Sequence, residues 1–299
     1  MNDGPRGSCL MDVEHFAPET LDECAALLLA AGCQARPLHG GTDLITETTE
    51  GDRRLSMVLD LRRIPELNRL DFDERNGLRI GAAVPFSTLL EFPPVRRLYP
   101  ILVDGSDTGS LGEGETPATL GAHLNQADPS AEMAPPLICL RASAAVFGPH
   151  GWSELAVEAL FPGAGRAALQ PGEFVVDVRL PAPPPRSSGA YFRSGAGGQA
   201  PFATTGVGAF LAMERDLFTC CGARLALCGG APTPMRALEA ERFLSGKPLE
   251  EPVVREAADL AGRNLLPNTG PADRLALVRD LTHRAISGAL ARVRMGAVG

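Results

Sequence analysis

Two adjacent glycines followed by a hydroxyl and a carboxylate, Gly40-Gly41-Thr42-Asp43, form the pattern in this sequence best suited to ligand chemistry. Successive glycines let backbone N–H groups converge on an anion, because no Cβ atom obstructs the approach. The Thr42 hydroxyl could donate a further hydrogen bond to a phosphate oxygen. The same pattern describes a tight strand-to-helix turn capped by Thr42, and spacing alone favours that simpler interpretation. It is neither GxGxxG nor GxxxxGK[ST], so it predicts neither a Rossmann fingerprint nor a P-loop.

A second small-residue loop lies in TPATLGAHLNQADPSAEMAPPL, residues 116–137. Thr119-Leu120-Gly121-Ala122 is followed there by the polar residues His123, Asn125, Gln126, Asp128 and Glu132. The simpler interpretation is a loop before a helix capped by Asp128 or Ser130, with His123 as an ordinary loop histidine. The alternative is that this loop and the glycine turn together clasp one elongated ligand.

The sequence does not indicate a nucleophilic catalytic site or a metal site. It has no G-x-S-x-G elbow and no HExxH, and its five histidines are scattered without metal-ligand spacing. The seven cysteines include no CxxC pair, and we interpret them as reduced thiols packed as small hydrophobes. Cys220, Cys221 and Cys228 would lack a fourth nearby metal ligand, so no metal site is predicted.

Composition limits the partners and the compartment. The chain has 299 residues, of which 44% are hydrophobic and 21% charged, as is typical of globular proteins. A net charge of −8 argues against nucleic acid or an anionic membrane as the main partner. No segment approaches the roughly 20 apolar residues that span a bilayer, and the N-terminus lacks the pattern of a signal peptide. We therefore expect a cytoplasmic protein.

The elements that would position the glycine turn can be predicted around it. A helix is expected after Thr20, which has capping-box spacing with Glu23, and it should end at Gly32. QARPLH is then a short strand that enters the glycines, and RLSMVLDL is a strand buried on both faces. Together they predict a small α/β unit.

Two hairpins and a change of composition follow. Asn76-Gly77 predicts a type I′ turn between two strands, and residues 148–151 (GPHG) predict a second hairpin. Helices are expected at FSTLLEF, with Ser87 as its cap, and around PSAEMAPPLICLRA. A strand should end at Leu180, before a proline–serine run at 182–188. Beyond it, two β-like runs and three helices predict a second α+β domain.

Six motifs in order resemble the FAD-binding medium subunit of the molybdenum hydroxylases, a group that includes carbon monoxide dehydrogenase, bacterial xanthine dehydrogenase and 4-hydroxybenzoyl-CoA reductase. They are HGGTDLI (39–45), DLRRIPEL (60–67), IGAAVPFSTLL (80–90), ATLGAHLNQADPSAEMAPPLICL (118–140), LQPGEFVVDVRLP (169–181) and ALCGGAPTPMRALEAERFLSGKPL (226–249). Each motif is weak alone, but their order along nearly the whole chain is specific.

The resemblance implies an α+β, two-domain FAD-binding fold with a small N-terminal α/β unit, a middle α+β part and a C-terminal α+β domain of antiparallel strands and helices. The FAD-binding domain would cover residues 1–181, with subdomains of about 1–60 and 61–181, and the C-terminal flavoprotein domain would cover residues 189–299. Gly40 to Asp43 would hold the pyrophosphate of a non-covalent FAD. Glu132 and Arg193 stand where an aspartate near the ribityl chain and a lysine near the flavin are common. The full predicted set is Leu38, His39, Gly40, Gly41, Thr42, Asp43, Leu44, Ala118, Thr119, Gly121, Ala122, His123, Glu132 and Arg193.

The second loop departs from the family pattern. Ala122 replaces a glycine, His123 replaces an asparagine, and Glu113 and Glu115 add negative charge. If Ala122 needed a positive φ, the strain would cost on the order of 1 kcal/mol and weaken FAD binding by tenfold or less.

The resemblance implies an electron-transfer flavoprotein subunit without a catalytic acid or base of its own. Its partners would be a molybdenum-cofactor large subunit and a small two-iron two-sulfur subunit, in a dimer of heterotrimers. The external electron acceptor would be NAD or a quinone. Two alternatives remain open, an FAD-free assembly subunit and a stand-alone flavin oxidoreductase.

Overall fold

The computed structural model describes residues 13–40, 56–106, 118–125, 132–162, 168–194, 205–229, 233–263 and 272–296, apart from the side chains at 33, 106, 272 and 273. Helices and strands are mixed throughout, which confirms the predicted α+β class. The described strands are β1 (Glu14–Phe16), β2 (Ala35–Leu38), β3 (Met57–Asp60), β4 (Leu70–Asp73), β5 (Gly77–Gly81), β6 (Ser143–Gly148), β7 (Gly151–Ala156), β8 (Phe174–Leu180), β9 (Ser187–Arg193), β10 (Gly206–Met213), β11 (Cys220–Cys228) and β12 (Met235–Arg236). The described α-helices are α1 (Leu21–Ala31), α2 (Phe86–Glu91), α3 (Pro93–Leu98), α4 (Pro100–Ser106), α5 (Leu120–Asn125), α6 (Ala134–Cys139), α7 (Leu238–Leu244), α8 (Glu251–Arg263) and α9 (Ala272–Gly296).

A small parallel sheet in the order β1-β3-β2 forms the N-terminal α/β unit. Helix α1 begins where predicted, because Thr20 Oγ1 accepts a hydrogen bond from the Glu23 N–H at 3.2 Å. It ends at Gly32, whose φ of +56° suits a residue without a Cβ. β3 lies between two neighbours and is largely buried, which accounts for its continuous apolar sequence.

An antiparallel sheet in the order β4-β5-β8-β6-β7 contains both predicted hairpins. The type I′ assignment at Asn76-Gly77 is wrong, because only Gly77, at φ +84°, has a positive φ there. Asp73 pairs with Gly77 across a three-residue loop, and Asp73 Oδ1 accepts the N–H groups of Arg75 and Asn76. A three-residue loop needs only one left-handed residue, whereas a type I′ turn needs two.

The predicted side-chain cap after this hairpin, Ser87, is wrong. Helix α2 begins after Pro85 with no side-chain cap, so Ser87 lies within its first turn. The backbone replaces the cap, since the Phe86 N–H donates to the Ala118 carbonyl at 3.0 Å. Helix α6 follows Met133 and also lacks a side-chain cap, while the two residues considered for it, Asp128 and Ser130, lie outside the described ranges.

The third sheet is antiparallel in the order β12-β11-β10-β9 and packs against helices α7 and α9, which helix α8 contacts in turn. The sequence predicted β10 and β11 but missed β9, which starts at Ser187, inside the proline–serine run. β9 is a strand because it pairs with β10 from Ser187↔Ala212 to Arg193↔Gly206. A partner strand distant in sequence thus decides the conformation of a segment whose local composition indicates a linker.

The third sheet shares its packing with the N-terminal part of the chain. Tyr191 of β9 and Ala226 of β11 belong to the hydrophobic core that lies mainly beneath the five-stranded sheet. A Cβ added to Gly189 would lie 3.1 Å from the Ile101 side chain, so β9 approaches helix α4 closely. In the ranges described above, no helix is both long and apolar enough to cross a membrane.

Candidate functional site

The glycine turn begins at the end of strand β2, which is an edge strand of the parallel sheet. β2 ends at Leu38, and both His39 and Gly40 are buried. Gly40 therefore lies beyond the carboxyl end of a parallel strand, where ligands commonly bind in α/β units. The remaining residues predicted for this turn lie outside the described ranges, and their roles stay predictions: Gly41, Thr42, Asp43 and Leu44.

The second predicted loop is held against the end of strand β5. The Gly121 N–H donates to the Ala82 carbonyl at 2.9 Å, while Ala118 accepts the Phe86 N–H. Thr119 is fully buried, and its Oγ1 accepts the N–H of Ala122 at 3.4 Å, in the first turn of helix α5. The Thr119 oxygen thus supports the backbone of its own loop.

Gly121 allows the two predicted loops to touch each other. A Cβ added at this position would lie 2.3 Å from His39 Cδ2 and 2.7 Å from the Ala82 carbonyl oxygen. Gly121 does not have a positive φ, so the missing side chain matters for contact and not for conformation. The structure therefore brings the end of β2 against the start of α5, as one ligand spanning both loops would require.

Ala122 and His123 replace the glycine and asparagine of the family pattern without visible strain. Both lie in helix α5, and neither is among the described residues with positive φ. The cost considered for Ala122 therefore does not arise. The His123 ring lies 5.5 Å from the Phe86 ring and packs at a tilt against it.

His39 is buried and joined to helix α5 through Asn125. His39 Nε2 lies 3.3 Å from Asn125 Nδ2, and the same amide nitrogen donates to the Gly121 carbonyl at 2.8 Å. Burial lowers the pKa of His39 to about 4, although the nearby Val175 backbone offsets part of this shift. The imidazole is therefore neutral at physiological pH. Its Nδ1 is buried and has no hydrogen-bond partner of good geometry among the described residues.

Glu132 and Arg193 form an ion pair near the start of α6 and the end of β9. Arg193 Nη1 lies 3.5 Å from Glu132 Oε1, and both side chains are mostly buried. Tyr191 lies on the same strand with its Oη 3.9 Å from Cys228 Sγ, and burial raises its pKa well above the usual value. The sequence alone predicted no role for Tyr191 or Asn125. Asn125 was noted only as one of several polar residues in the second loop.

The described part of this site fits FAD. Its two loops meet through Gly121 and His39, although they are distant in sequence. The buried Nδ1 of His39 has no described partner, and such an unbonded polar atom is costly unless another group meets it. Arg193 and Glu132 form a mostly buried ion pair at the junction with the third sheet. Contacting loops, an unbonded polar atom and buried polar side chains suit an elongated polar cofactor.

The cysteines are packed as predicted in four of the five described cases. Cys24, Cys139, Cys220 and Cys228 are buried, whereas Cys221 is exposed. Burial raises the pKa of Cys24 and Cys139 to about 12 and that of Cys220 to about 11. These three thiols are therefore protonated, inert parts of the core.

Comparison with known families gives two adjoining matches. Residues 11–183 match the family described as the FAD binding domain in molybdopterin dehydrogenase. Residues 190–289 match the CO dehydrogenase flavoprotein C-terminal domain.

Two curated relatives are similar over almost their full length. One is a putative xanthine dehydrogenase FAD-binding subunit of Escherichia coli, 27% identical over 88% of this chain and 91% of the relative. The other is the carbon monoxide dehydrogenase medium chain of Afipia carboxidovorans, 28% identical over 94% of this chain and 98% of the relative.

Solved structures agree with these matches. Carbon monoxide dehydrogenase from Hydrogenophaga pseudoflava superposes with a TM-score of 0.85 at 27% identity, over 94% of this chain and 98% of the other. Quinoline 2-oxidoreductase from Pseudomonas putida 86 gives a TM-score of 0.81 at 27% identity, with the same coverage. From these matches, the chain belongs to the family of FAD-binding domains of molybdopterin dehydrogenases and is an oxidoreductase flavoprotein subunit.

Proposed function

We propose that this chain binds FAD between the glycine turn after β2 and the loop that opens helix α5, and passes electrons between iron–sulfur clusters and an external acceptor or donor. The observation that supports this site most directly is the contact between Gly121 and His39. It places two loops predicted to bind the cofactor side by side, with a glycine where any side chain would push them apart.

The chain's own groups have positioning roles in this proposal. Gly40 to Asp43 would hold the pyrophosphate through backbone N–H groups, and Ala118 to His123 would form the second cofactor loop. Glu132 and Arg193 would contact the ribityl and flavin part. FAD, when bound, supplies the electron-carrying chemistry, and the protein supplies orientation and electrostatics.

We propose the same partners as the resemblance implies. They are a molybdenum-cofactor large subunit and a small two-iron two-sulfur subunit, in a dimer of heterotrimers, with NAD or a quinone as external acceptor. Several curated relatives are named as medium chains or subunits, which supports a multi-subunit complex. The net charge of −8 and the absence of an apolar span in the sequence support a cytoplasmic location.

We further propose that residues 1–181 form the FAD-binding domain and residues 189–299 the C-terminal flavoprotein domain. The four residues Pro181–Pro184 precede strand β9 and belong to no helix or strand. Since β9 packs on helix α4, the two domains should unfold together and not one after the other. A single thermal transition seen by both circular dichroism and Trp152 fluorescence is the expected result.

The FAD-free assembly subunit is the competing function. It was motivated by the altered second loop, and the helical conformation of Ala122 removes one part of that motivation, the possible strain at this residue. The decisive experiment is to purify the chain with the products of its neighbouring genes and assay flavin, molybdenum and iron. About one FAD per chain is expected. A complex that contains molybdenum and iron but no flavin would instead favour the assembly subunit.

A further inference from the structure

We propose that Asn125 is a positioning residue for the FAD site. Its side-chain amide fixes the tautomer of His39 and joins the end of strand β2, helix α5 and strand β8 through hydrogen bonds. The proposal rests on the proposed FAD site, and it assigns a role to a residue outside the predicted cofactor set. Asn125 does not need to touch the cofactor, since its effect acts through the two loops that do.

Two backbone hydrogen bonds determine how the Asn125 amide is oriented. Its Oδ1 accepts the Val175 N–H at 3.3 Å, so that atom must be the oxygen. Its Nδ2 donates to the Gly121 carbonyl at 2.8 Å, so that atom must be the nitrogen. Reversing the amide would place two donors together at Val175 and two acceptors together at Gly121. The surrounding backbone therefore permits one orientation.

This orientation determines the state of the imidazole. Asn125 Nδ2 can only donate, and its second hydrogen faces His39 Nε2 at 3.3 Å. Nε2 must therefore accept, which leaves the imidazole proton on Nδ1. Protonation of both ring nitrogens would place two N–H groups against each other, and burial already disfavours it.

The Asn125 amide therefore connects three separate elements of the fold. His39 directly precedes Gly40 at the end of β2, Gly121 lies in α5, and Val175 lies in β8. One amide bonds to all three, and the His39 ring fills the space that Gly121 leaves open. Within the described part of the chain, Asn125 supplies the side-chain hydrogen bonds that join the end of β2 to helix α5.

The test measures FAD affinity of the full-length chain after flavin removal, with flavin fluorescence quenching as the readout. Asn125→Ala is expected to weaken FAD binding about tenfold, because it leaves buried groups unbonded and frees the two loops. The matched control is Asn68→Ala, which also removes one amide bonded to two backbone carbonyls, those of Arg62 and Ile64. Asn68→Ala should lower the melting temperature but keep FAD affinity within about twofold.

Substitutions of His39 test the tautomer. His39→Gln retains an acceptor for the Asn125 amide and should therefore lose less FAD affinity than His39→Leu, for which we expect a loss of about tenfold. In the double variant with Asn125→Ala, His39→Leu should add little, since both changes remove the same interaction.

The outcomes separate this inference from the proposed function. A wild-type chain that binds no FAD would overturn the proposed function itself. If the wild type binds FAD and Asn125→Ala binds it equally well, the positioning role is wrong. Equal affinities of His39→Gln and His39→Leu would overturn the tautomer argument. If Asn125→Ala does not fold, the two His39 variants decide the question.

Discussion

Arg292 of helix α9 and Asp104 of helix α4 form a two-point ion pair across the fold. Arg292 Nη1 lies 2.6 Å from Asp104 Oδ2, and Arg292 Nη2 lies 2.7 Å from Asp104 Oδ1. Asp104 Oδ2 also accepts the Tyr191 N–H at 3.0 Å, and Arg292 donates to the Gly189 carbonyl at 2.7 Å. Strand β9, which ends at Arg193, is thus held both by helix α4 of the N-terminal part and by helix α9 of the C-terminal part.

Arg292→Ala should therefore destabilise the whole protein. It removes both contacts to Asp104 and the hydrogen bond to the Gly189 carbonyl. The mostly buried Asp104 carboxylate then lacks its positively charged partner. We expect the free energy of unfolding to fall by about 2 kcal/mol in a denaturant titration. Asp280→Ala on the same helix removes only an exposed pair with Arg284 and should change it by less than about 0.5 kcal/mol. Equal effects of the two variants would contradict the bridging role.

Ala122→Gly should not improve FAD binding. Ala122 is helical and has no positive φ, so a glycine relieves no strain and lowers helix stability by roughly 0.5–1 kcal/mol. The FAD dissociation constant should change less than about threefold in a fluorescence titration. A large gain in affinity would show that the loop adopts a different conformation when it binds FAD.

Gly121→Ala, in contrast, should reduce both the stability of the chain and its affinity for FAD. The added methyl group would lie against the His39 ring and the Ala82 carbonyl, so backbone or ring must move. We expect a loss of stability of about 1–3 kcal/mol together with weaker FAD binding. Thermal melting of the flavin-free chain and an FAD titration measure the two effects separately. An unchanged melting temperature would contradict the close contact.

Stability should fall as the pH is lowered from about 6.5 to 4, because of His39. Its folded-state pKa is about 4, below the ordinary value of 6.5, so the unfolded chain binds the extra proton first. The contribution of His39 to the free energy of unfolding is present in full above pH 6.5, and about 3 kcal/mol of it is lost as the pH falls towards 4. Urea titrations of the wild type and His39→Gln across this range measure it. The variant should lack this part of the pH dependence; parallel curves would exclude His39 as its source.

Asp177→Ala should be among the most destabilising single substitutions. The Asp177 side chain is fully buried in β8, where its carboxylate accepts hydrogen bonds from Arg79 and Arg179. Its removal leaves two partly exposed guanidinium groups, on the neighbouring strands β5 and β8, without the carboxylate they share, at a cost of about 3 kcal/mol. Glu154→Ala removes an exposed partner of the same Arg179 and should cost less than about 1 kcal/mol. Comparable losses would argue that Asp177 packs without ion pairing.

Elements specified by nearby residues were predicted correctly. Thr20 and Gly32 delimit α1 because capping and a left-handed C-terminus depend on groups within a few residues. The two hairpins were also found, since each depends on a short turn between apolar runs. Ser87 shows the limit of such reasoning. A serine in a capping position was predicted as a cap, but the Ala118 carbonyl, distant in sequence, meets the first helical N–H instead.

The order of motifs along the chain was enough to establish the family, the α+β class and FAD as the family's cofactor, because those motifs are local strings of residues. Packing alone decided three further points. Strand β9 exists because β10 pairs with it, and Ala122 is unstrained because its segment is helical. His39 and Asn125 interact because strand, helix and sheet bring them together. Contacts between residues so far apart depend on how the elements pack, and local patterns in a single sequence do not predict that packing.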